Sequence, residues 1–256
     1  MSAEEVRSVM SAAGNDRLTW NTPLSEDHAS RLIAACDPAP GARIVDLGSG
    51  WGELLMRLVE SAPGATGDGV ETDPDAVARG RKLAGERGLA DRVRFHGTPA
   101  AEWTEGGYDL AVCIGSSHAW PGATARESTA NALAALAAAV RPGGRVLFGE
   151  GIWQRDPTPA ALAGLGAGPE DFGSLLELIR LAESAGLRAL QVTVADEREW
   201  DLFESEGPIG RGQRWALANP GHPLHAEVTA EVDARRTGYY GGYRASFTLA
   251  YLVLGT

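Results

Sequence analysis

The chain has 256 residues, 44 % of them hydrophobic, enough for one α/β domain with an insertion and a sizeable core. Its net charge is −11, with Lys82 as the single lysine and the arginines scattered, which argues against nucleic-acid backbone or an anionic membrane surface as the main partner. No apolar stretch reaches the roughly 18 residues of a membrane span, and the polar, acidic start Met1-Ser2-Ala3-Glu4-Glu5 does not resemble a signal peptide, so a cytoplasmic location is expected.

A weak amphipathic helix is predicted over Ala3–Ala13, followed by a loop around Trp20. Ser25 is placed to cap a helix running to about Cys36, ending before Pro38. Strands and helices then alternate: Arg43–Leu47 strand, Glu53–Ser61 helix, Thr66–Glu71 strand, Asp75–Arg87 helix opened by Asp73 and Pro74, Arg92–His96 strand. Tyr108–Ile114 reads as a buried fourth strand, Ala123–Val140 as a helix, and Arg145–Phe148 as a fifth strand entered through Pro142-Gly143-Gly144. Ser174–Ala185 is a predicted helix stopped by Gly186, and Leu187–Ala195 a strand. Residues 196–243 read as a helical insertion, and Ser246–Leu254 as a final strand. This order implies a single domain: an N-terminal helical cap (1–40), a cofactor-binding core (41–150), and a segment (151–256) completing the sheet around the insertion. Cys36 and Cys113 have no CxxC partner and read as reduced core thiols. His222 and His225 stand three apart with no third ligand in view, so no metal site is expected; His28 and His96 read as structural or exposed.

The chemistry concentrates where a strand gives way to a helix. Gly48-Ser49-Gly50-Trp51-Gly52 follows the first strand, and glycines there allow a tight turn and a ligand's close approach to backbone N–H groups. Asp46 precedes the loop, and Glu71 ends the next strand about 20 residues on, where a carboxylate accepts from ribose hydroxyls in nucleotide-binding βαβ units. The same features fit a nicotinamide-dependent oxidoreductase, although the spacing here is G-x-G-x-G rather than G-x-G-x-x-G.

Four segments in order carry a family resemblance. Val45-Asp46-Leu47-Gly48-Ser49-Gly50-Trp51-Gly52 resembles motif I of class I S-adenosylmethionine-dependent methyltransferases. Gly69-Val70-Glu71-Thr72-Asp73-Pro74, Tyr108–Gly115 and Leu136–Leu147 resemble the family's acidic, fourth-strand and Pro-Gly-Gly motifs. The resemblance covers about residues 40–150. It implies a Rossmann-like, doubly wound, seven-stranded, mostly parallel sheet with an antiparallel last strand. It also implies S-adenosyl-L-methionine as cofactor, leaving S-adenosyl-L-homocysteine, with Asp46, Gly48, Ser49, Gly50, Glu71, Thr72, Thr98, Pro99, Ala100, Ile114 and Gly115 at the cofactor. Thr98 stands where the family usually has an adenine-binding Asp, which leaves that contact to a hydroxyl, a backbone group or Glu102.

Three segments are candidates for the acceptor side: Gly115–Pro121 with Ser117, His118 and Trp120; Gly149–Gln154 with Glu150 and Trp153; and the Tyr239, Tyr240, Tyr243 cluster, with Trp20 a further candidate. His118 reads as a base, a substrate contact or a packed histidine, and Glu150 as a pocket carboxylate or a solvated one. The whole pattern resembles bacterial small-molecule methyltransferases with a G-x-S-H-A loop after strand four. That implies methyl transfer to an O or N nucleophile of a small molecule such as a specialised metabolite. A non-catalytic or other-reaction S-adenosylmethionine-binding protein stands as the second alternative.

Overall fold

The computed structural model describes residues 3–10 and 17–256. Among these residues seven strands form one sheet: β1 (Arg43–Leu47), β2 (Thr66–Val70), β3 (Val93–His96), β4 (Tyr108–Ile114), β5 (Val140–Trp153), β6 (Arg188–Val194) and β7 (Phe247–Gly255). The order is β3-β2-β1-β4-β5-β7-β6. β1 pairs in parallel with β2 and β4, β2 with β3, and β4 with β5, whereas β6 and β7 are antiparallel. The strand order reverses at β1, so the carboxyl ends of β1 and β4 flank the crevice where open α/β sheets bind ligands.

The helices are α1 (Ala3–Met10), α2 (Glu26–Cys36), α3 (Glu53–Ser61), α4 (Pro74–Glu86), α5 (Ala125–Ala139), α6 (Pro159–Leu165), α7 (Leu175–Ser184), α8 (Glu197–Glu206), α9 (Pro208–Ala218) and α10 (His225–Gly238). No helix among the described residues is long and apolar enough to cross a membrane. Their starts follow local chemistry. Ser25 caps α2 by accepting from His28 N–H at 3.2 Å, and Asp73 caps α4 by accepting from Asp75 N–H at 2.9 Å, with Pro74 in the first turn. Ser174 and Glu177 form a reciprocal capping box on α7.

Contacts divide the chain into two compact units. The sheet unit comprises Ser25–Ile152, Glu170–Val194 and Leu249–Thr256; the helical unit comprises the chain up to Leu24, Trp153–Pro169 and Ala195–Thr248. The sheet unit's core packs Val45, Leu47, Cys113, Phe148 and Leu252 against Leu133 and Leu136 of α5. Cys36 and Cys113 are buried free thiols, and burial pushes Cys36 up to about 12. His28 is buried with its ring 2.7 Å from the Thr193 hydroxyl, and His96 hydrogen-bonds Asp68 at 2.8 Å, so both are structural.

Three differences from the sequence reading stand out. β5 is far longer than Arg145–Phe148, because Val140 already pairs with Tyr108 before the glycine turn and the strand runs on to Trp153. α5 starts at Ala125, since Thr124 is its cap. The sequence pattern gives no sign of the short helix α6, PAALAGL, whose two leucines among small residues carry little periodicity. Of the expected first helix, residues 11–13 lie outside the described residues.

One side chain organises the nucleotide half of the sheet. The Phe95 ring fills a space left by three glycines: a Cβ built on Gly52, Gly69 or Gly80 would lie 2.5, 2.9 or 2.7 Å from it. Gly80→Ala in the middle of α4 should therefore destabilise the protein by about 1–3 kcal/mol through overpacking. Gly85→Ala in the same helix, where a Cβ meets nothing within 4 Å, should stabilise it by about 0.5–1 kcal/mol. Thermal denaturation of both variants checks the reversal of sign; a stabilised Gly80→Ala contradicts this packing.

Candidate functional site

β1 ends in a loop whose backbone only glycine adopts easily: Gly48, Gly50 and Gly52 have φ of 86, 54 and 71°. Gly48 also faces the loop after β4, where a Cβ would fall 2.3 Å from the Ser116 hydroxyl. Gly48 and Ser49 donate N–H to the Val70 carbonyl at 2.8 and 3.0 Å, stitching the loop to the end of β2. Glu71 completes the tie. Its Oε2 accepts from Gly50 N–H at 2.9 Å, while Oε1 accepts from the N–H groups of Thr72 at 2.7 Å and Asp73 at 2.9 Å. One carboxylate thus sets the loop and the entry to α4; Oε1, which also accepts from the Thr72 hydroxyl at 3.3 Å, is fully engaged, and Oε2 keeps lone-pair capacity for a hydroxyl.

Asp46 sits beside this carboxylate, buried, and accepts no hydrogen bond from another described residue. Burial pushes its carboxyl up to about 8, and the charge of Glu71 adds to the shift. A buried carboxylate lacking a partner, next to a glycine loop and a second acid, fits a ligand carrying an ammonium group and ribose hydroxyls. Beyond β3, Thr98 is half-buried, and Pro99 leads into a short 3-10 turn, Ala100–Glu102, in which Ala100 is buried and Glu102 exposed. Trp51, buried in the glycine loop, lies under the Arg79 guanidinium at 3.9 Å.

The end of β4 forms the other side of the crevice. Ile114 is half-buried and Gly115, at φ 66°, donates N–H to the Gly149 carbonyl at 2.8 Å. Ser117–Ala119 is a 3-10 turn presenting His118 as an exposed side chain, with Ser117 buried and Trp120 in the hydrophobic core. Glu150 lies within β5 rather than after it, and is buried. Burial raises its carboxyl, opposed by hydrogen bonds from Ser117, the Gly151 N–H at 2.9 Å and the Thr129 hydroxyl at 3.3 Å, and by nearby His118. Glu150 therefore ties the His118 turn to β5 and α5.

The remaining aromatic candidates belong to the helical unit. Trp20 is buried, and Trp153 meets Phe247 edge-on at 5.3 Å. Tyr239 and Tyr243 are buried in a π-helical turn, Tyr239–Tyr243, their hydroxyls donating to Asp201 at 2.9 Å and Glu204 at 3.1 Å, while Tyr240 is exposed. Sequence reasoning gave no role to Phe95, Ser116 or Thr129. Glycines at 52, 69 and 80 hint that something large fills the space, but nothing in the sequence says which ring.

Strand order, glycine loop and the two carboxylates define a Rossmann-like protein that binds a nucleotide-type cofactor. A family model for a methyltransferase domain matches residues 45–146. The chain is 30 % identical over 231 residues to the Escherichia coli (strain K12) protein YjhP, covering 89 % of this chain and 90 % of that one. It is 34 % identical over 222 residues to acetylserotonin O-methyltransferase of Mus musculus molossinus, covering 84 % of this chain and 51 % of the relative. A crystal structure of a SAM-dependent methyltransferase from Geobacter sulfurreducens in complex with S-adenosyl-L-homocysteine superposes with a TM-score of 0.85 at 28 % identity, covering 98 % of this chain and 97 % of that one. The chain belongs to the class I S-adenosylmethionine-dependent methyltransferases.

The raised Asp46 has a consequence for stability. The folded protein keeps a proton that the unfolded chain gives up above about pH 4, so this group's contribution to stability falls as pH rises from about 4 to about 8. Without ligand, the melting temperature of Asp46→Asn should gain on the parent's between about pH 5 and about pH 8.5. A gap that moves the other way contradicts the burial of an unpartnered carboxyl.

Proposed function

We propose that this methyltransferase moves the methyl group of S-adenosylmethionine to an oxygen or nitrogen of a small acceptor, with His118 as base. The observation that carries the cofactor half is the Glu71 carboxylate gripping the Gly50 N–H beside the unpartnered Asp46. Asp46 takes the ammonium of the methionine moiety, the N–H groups around Gly48, Ser49 and Gly50 approach its carboxylate, and Glu71 with Thr72 holds the ribose hydroxyls. Thr98, Pro99 and Ala100 line the adenine end by hydroxyl and backbone, in place of a carboxylate. Ile114 and Gly115 lie along the cofactor. Bound there, S-adenosylmethionine supplies an electrophilic methyl on a sulfonium.

The residues after β4 supply the rest. His118 takes the proton that the acceptor's O–H or N–H gives up as its lone pair bonds the methyl carbon. Glu150, reaching the preceding residue through the Ser117 hydroxyl, fixes the turn that presents the ring. Ser117 and Trp120 bound the acceptor's approach. The net charge of −11 and the single lysine favour a small molecule over nucleic acid, and an O-methyltransferase among the relatives supports an oxygen acceptor. A specialised metabolite in the cytoplasm fits these features.

The test is S-adenosylhomocysteine formation with a panel of phenolic, hydroxyl and amine acceptors. Once an acceptor is found, His118→Ala should lower kcat about a hundredfold and leave cofactor affinity unchanged. Unchanged turnover removes His118 from the chemistry.

A further inference from the structure

The helical unit contains a cleft of about 780 Å3 between α6, α8, α10 and the π-helical turn. No residue of the glycine loop or of the His118 turn lines it. The volume falls within the roughly 300–1,000 Å3 of small-molecule sites. Its aromatic part is Trp200, Phe203 and Tyr243. Trp200 stands edge-on to Phe203 at 6.0 Å and 88°, and to Tyr243 at 6.3 Å and 78°; Trp200 and Tyr243 are buried and line the cleft with the parts of their rings left uncovered, while half-buried Phe203 is the most open of the three. Glycines make room. Gly164 and Gly238 bring α6 and α10 into backbone contact, a Cβ on Gly164 falling 2.6 Å from the Gly238 Cα. A Cβ on Gly241, by contrast, would meet nothing within 4 Å.

Arg235 gives the cleft its polar handle. Its Nε and Nη2 each donate to wholly buried Glu204 at 2.8 Å, and Glu204 also accepts from the Tyr243 hydroxyl at 3.1 Å. Nη1 has no hydrogen-bond partner among the described residues, and Arg235 lines the cleft. The charge of Arg235 is already balanced by Glu204. Of the two acids on the rim, Asp233 is paired with Arg236 at 2.6 Å, which leaves Glu231 as a net negative charge. An anion therefore meets repulsion, whereas a neutral oxygen acceptor satisfies Nη1 without adding charge.

We infer that this cleft binds a neutral, planar aromatic compound, its ring against Trp200, Phe203 and Tyr243 and a hydroxyl or carbonyl oxygen at Nη1 of Arg235. The inference stands apart from the cofactor reading, because no cofactor-loop residue takes part. Calorimetry on the full chain with 2-naphthol and with 2-naphthoate tests it. Binding of 2-naphthol is expected to be at least about tenfold tighter than that of 2-naphthoate. Gly241→Phe, which fills open space, should weaken 2-naphthol binding at least about tenfold while leaving the melting temperature and S-adenosylhomocysteine affinity unchanged. A163F, from the exposed face of α6, should do the same and serves if Gly241→Phe is unstable. No binding of 2-naphthol, preference for 2-naphthoate, or undiminished binding in a stable filled variant would overturn the inference.

Discussion

The carboxylate of Glu71 is the constraint on which the site depends. It stands at the end of β2 and is shared by the Gly50 N–H and the N–H groups leading into α4. Three backbone donors on one charged group are strong hydrogen bonds in a partly dry setting. The Gly50 N–H ties the glycine loop to the end of β2 beside Asp46, and the Thr72 and Asp73 N–H groups fix the entry to α4. The arrangement comes at an electrostatic cost, since two acids sit close together and one is buried. That cost is visible in the raised Asp46 carboxyl, and a cationic ligand group placed there would relieve it.

Around this tie the sheet supplies rigidity. Phe95 from β3 presses on Gly52, Gly69 and Gly80, so the loop, β2 and α4 share one packed ring. On the other side of the crevice, Ser116 closes on Gly48 and Glu150 binds the His118 turn from below through Ser117. The helical unit is held differently, by two carboxylates that each take an arginine and a tyrosine: half-exposed Asp201 with Arg244 and Tyr239, and wholly buried Glu204 with Arg235 and Tyr243. The Arg244 guanidinium holds the Asp201 carboxyl below the usual range.

Much of this was legible in the sequence where the cause is local. The glycine loop, the caps at Ser25 and Asp73, and the strand–helix alternation from Arg43 to Ile114 depend on near neighbours, and each appears where the pattern put it. What was not legible depends on partners distant in the chain. The length of β5 comes from Val140 pairing with Tyr108. The role of Phe95 comes from glycines 15 to 43 positions away meeting at one ring. The tyrosines at 239 and 243 stood as acceptor-side candidates because nothing nearby in the chain announces Asp201 and Glu204 as their partners.

The claim that matters most is that the Glu71-tied loop is the cofactor site. Calorimetric titration of the parent and Glu71→Ala with S-adenosylhomocysteine and with NAD tests it most directly. The parent is expected to bind S-adenosylhomocysteine but not NAD, and Glu71→Ala to bind at least about tenfold more weakly, as loss of charge-assisted hydrogen bonds implies. Equal affinity in the variant, or a preference of the parent for NAD, would contradict it.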